Sequence, residues 1–78
     1  MDLLLTRKEF SLLLLFVEHK GGTMSAEYLY EKIWGREMGG DDKAIRVMVS
    51  KLRKKMTGSG ASIRVERGEG YRFEAPDS

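Results

Sequence analysis

The sequence predicts a single α+β domain, covering residues 1–78, in which three helices precede a C-terminal β-hairpin. Apolar residues recur at the helical period of about 3.6 residues in three segments, at about 7–20, 25–34 and 42–56. Glycine-containing stretches separate these segments, and at about residues 62–74 the pattern changes to the alternation of strands. A chain of 78 residues has room for one small core.

The first helix begins at a residue pair typical of a capping box. Thr6 stands three positions before Glu9, so each side chain can accept a hydrogen bond from the other residue's backbone amide. The helix is then expected to cover residues 7–20 and to stop at two glycines. Residues 1–5, ahead of it, predict a short strand or its remnant.

More than half of the circumference of this helix is apolar. One stripe is predicted as a core face: Phe10, Leu13, Leu14 and Val17. A second apolar set lies away from that stripe and is expected to need separate cover: Leu12, Leu15 and Phe16. Apolar faces of this size rarely stay in water. We therefore expect a second copy of the chain, in a homodimer, or a segment missing from this sequence, to cover the apolar face of helix 1.

The second helix is predicted to begin at Ser25 or Thr23 as its N-cap and to end at Gly35. Tyr30 and Trp34 share one face of it, where they are expected to be core residues rather than ligand-binding ones.

Residues 35–42 contain three glycines and two adjacent aspartates, which predicts a loop. Asp41 or Asp42 is expected to cap the third helix. Residues 43–56 of that helix carry six of the 14 basic residues of the chain and no acidic one.

The third helix has an apolar back and a cationic front. The back is predicted to be buried and consists of Ile45, Val49, Leu52 and Met56. The front consists of Lys43, Val47, Ser50 and Lys54, with Lys51 on one flank and Arg46 and Arg53 on the other. This front fits the major groove of DNA, because its cations reach phosphates and guanine edges and its valine methyl groups can contact thymine. Taken alone, the pattern also fits a solvated amphipathic helix.

The hairpin is predicted from two alternating segments that flank a glycine-containing turn. Ile63 and Val65 alternate with Arg64 and Glu66 in the first segment, the period of a half-buried strand, and Tyr71-Arg-Phe73 alternates again in the second. Arg67 lies near the tip of the hairpin. An exposed arginine in a turn is ordinary, but beside a basic helix it favours a second contact with the same polyanion.

Charge divides unevenly along the chain. Residues 1–42 hold five basic and eight acidic side chains and residues 43–78 hold nine and four, so net charges of −3 and +5 sum to +2. The cationic half predicts a polyanionic partner. A membrane surface would require bulky apolar residues beside the charges, and the front offers only Val47. Double-stranded DNA is therefore the expected partner, with no membrane contact.

The composition argues against several other classes of protein. The absence of cysteine excludes a disulfide framework and a thiolate zinc site, and a single histidine cannot build a metal site alone. We expect no cofactor and no metal. No run of 18 apolar residues and no signal peptide is present, which predicts a cytoplasmic protein. No nucleophile and base, or pair of carboxylates, stands in a pattern typical of an enzyme.

Five motifs occur in a characteristic order and spacing. They are Leu5-Thr-Arg-Lys-Glu-Phe-Ser-Leu-Leu13, Ser25 ahead of Leu29, Ile33-Trp34-Gly35, Val49-Ser-Lys-Leu-Arg-Lys-Lys55 and Arg67-Gly-Glu-Gly-Tyr-Arg-Phe73. Over residues 3–73 the chain resembles the OmpR/PhoB-type DNA-binding (effector) domain of two-component response regulators. The resemblance implies a winged helix-turn-helix that binds duplex DNA sequence-specifically in transcription regulation. Its third helix would enter the major groove, and its hairpin, the wing, the minor groove.

The resemblance also implies which residues bind DNA. Positions matching the major-groove residues of the family are Lys43, Val47, Ser50, Lys51 and Arg53, and helical geometry adds Lys54. Arg67 matches an arginine that enters the minor groove, and Tyr71 matches a tyrosine that approaches the phosphate backbone. Residues 35–42, which follow Trp34, match a loop that contacts RNA polymerase in some members.

The chain departs from the family pattern at several positions. Ala44, Arg46 and Met48 replace a threonine, an aspartate and a histidine, and Glu66 sets a carboxylate beside Arg67. Most of the N-terminal sheet of the family is absent from this sequence. These departures leave a second interpretation open, a winged helix for protein interaction whose DNA specificity is weakened or lost.

Overall fold

The computed structural model describes residues 4–75 and has the predicted order of helices and hairpin. Its helices are α1 (Arg7–Glu18), α2 (Ala26–Trp34) and α3 (Asp42–Lys55), and its strands are β1 (Thr23–Met24), β2 (Ser62–Glu66) and β3 (Gly70–Glu74). The α+β fold class is confirmed, and the sequence analysis missed only β1 among these elements. Leu4 and Leu5 are not in a strand, and the rest of the strand predicted at residues 1–5 lies outside the described residues.

The helix starts follow the local signals in the sequence. The predicted capping box is present, since the Glu9 amide donates to Thr6 Oγ1 at 3.2 Å and the Thr6 amide donates to Glu9 Oε1 at 2.9 Å. Ser25 rather than Thr23 caps α2, accepting from the Tyr28 amide at 3.0 Å, because Thr23 belongs to β1. Gly35 ends α2 in the left-handed conformation that glycine adopts most readily. The first helix ends at Glu18, earlier than predicted.

The prediction for the faces of α1 was wrong. Leu12 and Phe16 are fully buried. Three of the four residues assigned to the core are instead about half exposed: Phe10 at 53%, Leu14 at 45% and Val17 at 52%. Both faces are apolar, so the helical period alone could not distinguish them. The positions of the other elements decide, because Phe16 stacks on Phe73 of β3 at 6.2 Å between ring centroids.

The apolar back of α3 is buried as predicted. Ile45 and Leu52 have no exposed surface, and Val49 and Met56 have almost none. They join a single core with Leu12 and Phe16 of α1, Leu29 of α2, and Met24, Ile63, Tyr71 and Phe73 of the sheet. Burial of this stripe fixes the rotation of α3 about its axis. Within residues 4–75, no helix has both the length and the apolar character needed to cross a membrane.

The three strands form an antiparallel sheet in the order β1-β3-β2. Gly70 opens β3 with φ of 140°, where β1 approaches closely. A Cβ atom on Gly70 would overlap the carbonyl oxygen of Met24 and lie 2.8 Å from Cα of Ser25. Only glycine therefore allows β1 to pair with β3 at this point, and this pairing places the wing beside the start of α2.

We predict that Gly70→Ala lowers the free energy of unfolding by about 3 kcal/mol or more, because the new methyl group overlaps backbone atoms and the positive φ is strained. Gly68→Ala controls for strain alone, since Gly68 has φ of 77° and open space around its Cα. It should lose about 1–2 kcal/mol. Gly40→Ala has neither problem and should change stability by less than about 1 kcal/mol. Urea unfolding measures all three. A Gly70→Ala loss no larger than that of Gly68→Ala would contradict the close approach of β1.

Candidate nucleic-acid interface

The front of α3 faces solvent along its whole length. All six predicted DNA-binding residues of this helix are exposed: Lys43, Val47, Ser50, Lys51, Arg53 and Lys54. The buried stripe on the opposite side holds them outward, because turning the helix would bury cations and expose the core. The structure therefore brings the predicted major-groove residues together on one accessible surface.

The cations of this surface are not neutralised by the protein itself. Among residues 4–75, Lys43, Lys51, Arg53 and Lys54 form no ion pair. Arg46, on the flank, lies 3.5 Å from Asp42, but both side chains are more than half exposed, so this pair contributes little. The front of α3 thus offers free positive charge to a polyanion.

A partly buried ion pair, which the sequence did not predict, fixes the C-terminal end of α3. Lys55 donates to Glu9 Oε1 at 2.6 Å and to the carbonyl oxygen of Leu4 at 2.8 Å. Glu9 is only 4% exposed, and its hydrogen bonds from the Lys55 ammonium and then from the Thr6 amide lower the pKa of its carboxyl group. The carboxylate therefore stays charged and joins the start of α1 to the end of α3. The two residues are 46 positions apart, so no local pattern predicts the pair.

A second polar contact fixes the N-terminal end of α3. Asp41 occupies the N-cap position but makes no side-chain capping bond, which corrects the prediction that it or Asp42 caps the helix. Its carboxylate instead accepts from the hydroxyl of Tyr30 at 2.9 Å. The same hydroxyl accepts from Arg36 Nη2 at 3.2 Å, and Trp34 stacks on the Tyr30 ring at 4.3 Å. Tyr30 therefore holds both ends of the 35–42 loop.

The wing presents Arg67 at its exposed tip, as predicted. Glu66 does not pair with this arginine, contrary to the expectation that its carboxylate weakens Arg67. It lies 3.1 Å from Arg72 Nη2. The reason is strand alternation, which places Glu66 and Arg72 on the outer face of the sheet. Arg67 therefore keeps its charge available.

Tyr71 lies in the core rather than on the surface of the wing. Its side chain is 7% exposed, and this burial raises the pKa of the phenol. The charges of Arg46 and Arg53 lower that pKa, and the charge of Asp42 raises it. A direct contact of Tyr71 with phosphate stays a prediction. The structure supports a role in core packing, where Tyr71 joins the same cluster as Ile45 and Val49 of α3.

The described part of the chain, residues 4–75, contains no group of three or more histidine and carboxylate side chains that could hold a metal ion. The chemistry of the front of α3 and of the wing tip is that of anion binding.

Comparison with known proteins identifies relatives along most of the chain. A family model described as "Transcriptional regulatory protein, C terminal" matches residues 1–73. Regulatory protein VanRB of Enterococcus faecalis is 41% identical over 73 residues, which cover 94% of this chain and 32% of that protein. The transcriptional regulatory protein CssR of Bacillus subtilis is 44% identical over 71 residues, covering 88% and 30%. The chain thus spans about a third of the length of the curated relatives it matches.

Solved structures share the fold. The DNA-binding domain of Bacillus subtilis CssR is 41% identical, with a TM-score of 0.79 over 91% of this chain and 78% of that one. The Klebsiella pneumoniae RstA DNA-binding domain, solved in complex with the RstA box, is 30% identical, with a TM-score of 0.82 over 95% and 75%.

Proposed function

This chain belongs to the family of C-terminal domains of transcriptional regulatory proteins, the OmpR/PhoB-type winged-helix domains of response regulators, and from that premise we propose how it binds DNA. Members of this family are DNA-binding domains of transcription factors and are not enzymes. We propose that the chain binds duplex DNA sequence-specifically. We also propose that it is cytoplasmic, which cell fractionation tests. Its third helix would lie in the major groove and its wing in the minor groove.

One observation carries this proposal. The front of α3 and its flanks are exposed and hold four cations without ion pairs among the described residues, while the back of the helix is buried in the core. A solvated surface helix gains nothing from such a concentration of like charge, because neighbouring cations repel each other. A phosphate backbone removes that repulsion and releases counterions on binding.

Each residue of the front has chemistry that suits one part of the duplex. Lys51 and Arg53 suit guanine edges or phosphates, and Val47 suits a thymine methyl group. Ser50 is small enough to bring the helix close to the bases. Arg67, at the tip of the wing, suits the narrow minor groove of A·T-rich DNA, whose negative potential attracts arginine.

Selection of bound duplexes from a random pool will define the DNA site of the native chain. We predict that Lys51→Ala and Arg53→Ala each bind this site more weakly, by about 1–3 kcal/mol, and with relaxed base preference. Arg67→Ala should lose the preference for flanking A·T pairs, since the minor-groove contact is removed. Arg64→Ala, on the outer face of the same hairpin, is the matched control and should change neither the affinity nor the base preference. Fluorescence anisotropy measures the affinities. Failure of the chain to bind any selected duplex at low salt would sink the proposal and favour a protein-interaction role.

We also propose that the chain forms a homodimer through α1. The corrected surface consists of Phe10, Leu14 and Val17, rather than Leu12, Leu15 and Phe16 as first expected. Half-exposed aromatic and aliphatic side chains one turn apart on a single helix form an apolar strip that association would remove from water.

Sedimentation of the 78-residue chain tests the dimer. The native chain should associate with rising concentration, and Leu14→Glu should stay monomeric because association would bury an unpaired carboxylate. Val65→Glu places the same change on the exposed wing and should still dimerise. A native chain that is monomeric at every concentration would refute this interface.

We propose that the 35–42 loop contacts RNA polymerase. Support comes from its exposure, since every residue of the loop except Met38 is exposed, and from the Tyr30 hydroxyl, which bonds to both Arg36 and Asp41 of the loop. In transcription with purified polymerase on the selected site, Glu37→Lys should alter the transcript yield while DNA affinity stays unchanged. Glu31→Lys, on α2, is the control for the charge change. Equal yields from both variants and the native chain would exclude the loop as a polymerase contact.

A further inference from the structure

An open groove runs between the start of α1 and the front of α3. Its floor is apolar and is formed by Ala44, Val47 and Met48 of α3. The cations that line it are Arg7 and Lys8 of α1 and Lys51, one helical turn after Val47 on α3. None of these three cations forms an ion pair within residues 4–75. The groove therefore combines lining cations with an apolar floor.

The one acidic residue at this groove does not oppose an anion. Glu9 is almost fully buried and its carboxylate is held by Lys55 at 2.6 Å. The ammonium of Lys8 lies 5.6 Å from the centroid of the Trp34 ring, and no carboxylate neutralises it among the described residues. The net charge that a ligand meets here is positive.

Among the described residues, Lys8 contacts only the Trp34 ring through its side chain, and Arg7 has no partner. Both lie in the first turn of α1, where a positive charge is unfavourable beside the positive end of the helix dipole. Arg7 makes no hydrogen bond or ring contact through its side chain among the described residues. Cations at this position weaken the helix slightly. Their presence therefore favours a role in binding.

The position of the groove relative to α3 indicates its ligand. Val47 belongs both to the front of α3 and to the floor of the groove, so the two surfaces are continuous. Arg46 and Arg53 share the opposite flank, seven residues apart, and Arg53 there borders Ser62 and Ile63 at the start of the hairpin. A helix in the major groove has one phosphate backbone on each side, because the groove is only about 12 Å wide. The backbone on the side away from the wing would run along the groove.

We infer that Arg7 and Lys8 bind the phosphates of that second backbone, with deoxyribose against Ala44 and Met48. This inference rests on the proposed DNA-binding function and adds the start of α1 to the interface. The domain then contacts both DNA strands. The contacts on the wing side come from Arg46, Arg53 and Arg67, and those on the α1 side come from Arg7, Lys8 and Lys51. The phosphate contacts of Arg7 and Lys8 strengthen binding to every sequence and do not select bases.

Salt-dependent titration of the selected duplex tests the inference. Arg7→Ala and Lys8→Ala should each reduce the slope of log affinity against log salt by about 0.9, the value for one lost phosphate contact. The same slope corresponds to a loss of affinity of roughly five- to tenfold at 0.1 M salt, equal for the selected duplex and a scrambled one. Arg7→Lys keeps the charge and should keep the slope. Lys20→Ala, just beyond the other end of α1, is the matched control and should keep both the native slope and the native affinity.

Ethylation interference locates the contact. In the native chain, ethylation of phosphates on the backbone away from the wing should block binding, and Arg7→Ala should lose that interference while keeping the interference on the wing side. If Arg53→Ala weakens binding but Arg7→Ala and Lys8→Ala behave like Lys20→Ala, the inference is wrong and the proposed function stands. If the native chain binds no duplex at low salt, both fail.

Discussion

Burial of one stripe of α3 determines what the rest of the molecule can do. Ile45, Val49, Leu52 and Met56 leave water together, and each contributes about 1.5–3 kcal/mol. Any other rotation of the helix would bury lysine or arginine, at several kcal/mol for each charge. The cations of the front are therefore exposed as a consequence of core packing. Core packing alone therefore produces a cationic surface that can bind a polyanion.

The ends of α3 and the wing are held by contacts of different kinds. Glu9 and Lys55 join the end of α3 to the start of α1, and the Tyr30 hydroxyl holds Asp41 at the beginning of α3. The wing is placed by the close approach of β1 to Gly70. These contacts fix the helix, the loop and the wing relative to one another. A rigid arrangement of this kind reduces the ordering cost of binding.

The sequence predicted features that depend on near neighbours. The stripe of α3 and the Thr6–Glu9 capping box follow from spacing within a few residues, and both are confirmed. It could not choose between the two apolar faces of α1, because that choice depends on where Phe73 lies. The strand β1 has two residues and exists only through its pairing with β3. Likewise, the exposed cations of the candidate site were predictable. Strand alternation put Tyr71 on the same face as Phe73, whereas the family resemblance implied a contact with phosphate, and the ring is buried.

The central claim is that the front of α3 is the surface that contacts DNA. Nuclear magnetic resonance titration of the isotope-labelled chain with the selected duplex tests it directly. Amide shifts should concentrate at Lys43, Val47, Ser50 and Lys51, with a second group around Arg67. Shifts confined to the apolar strip of α1 at Phe10, Leu14 and Val17, with α3 unchanged, would contradict the account.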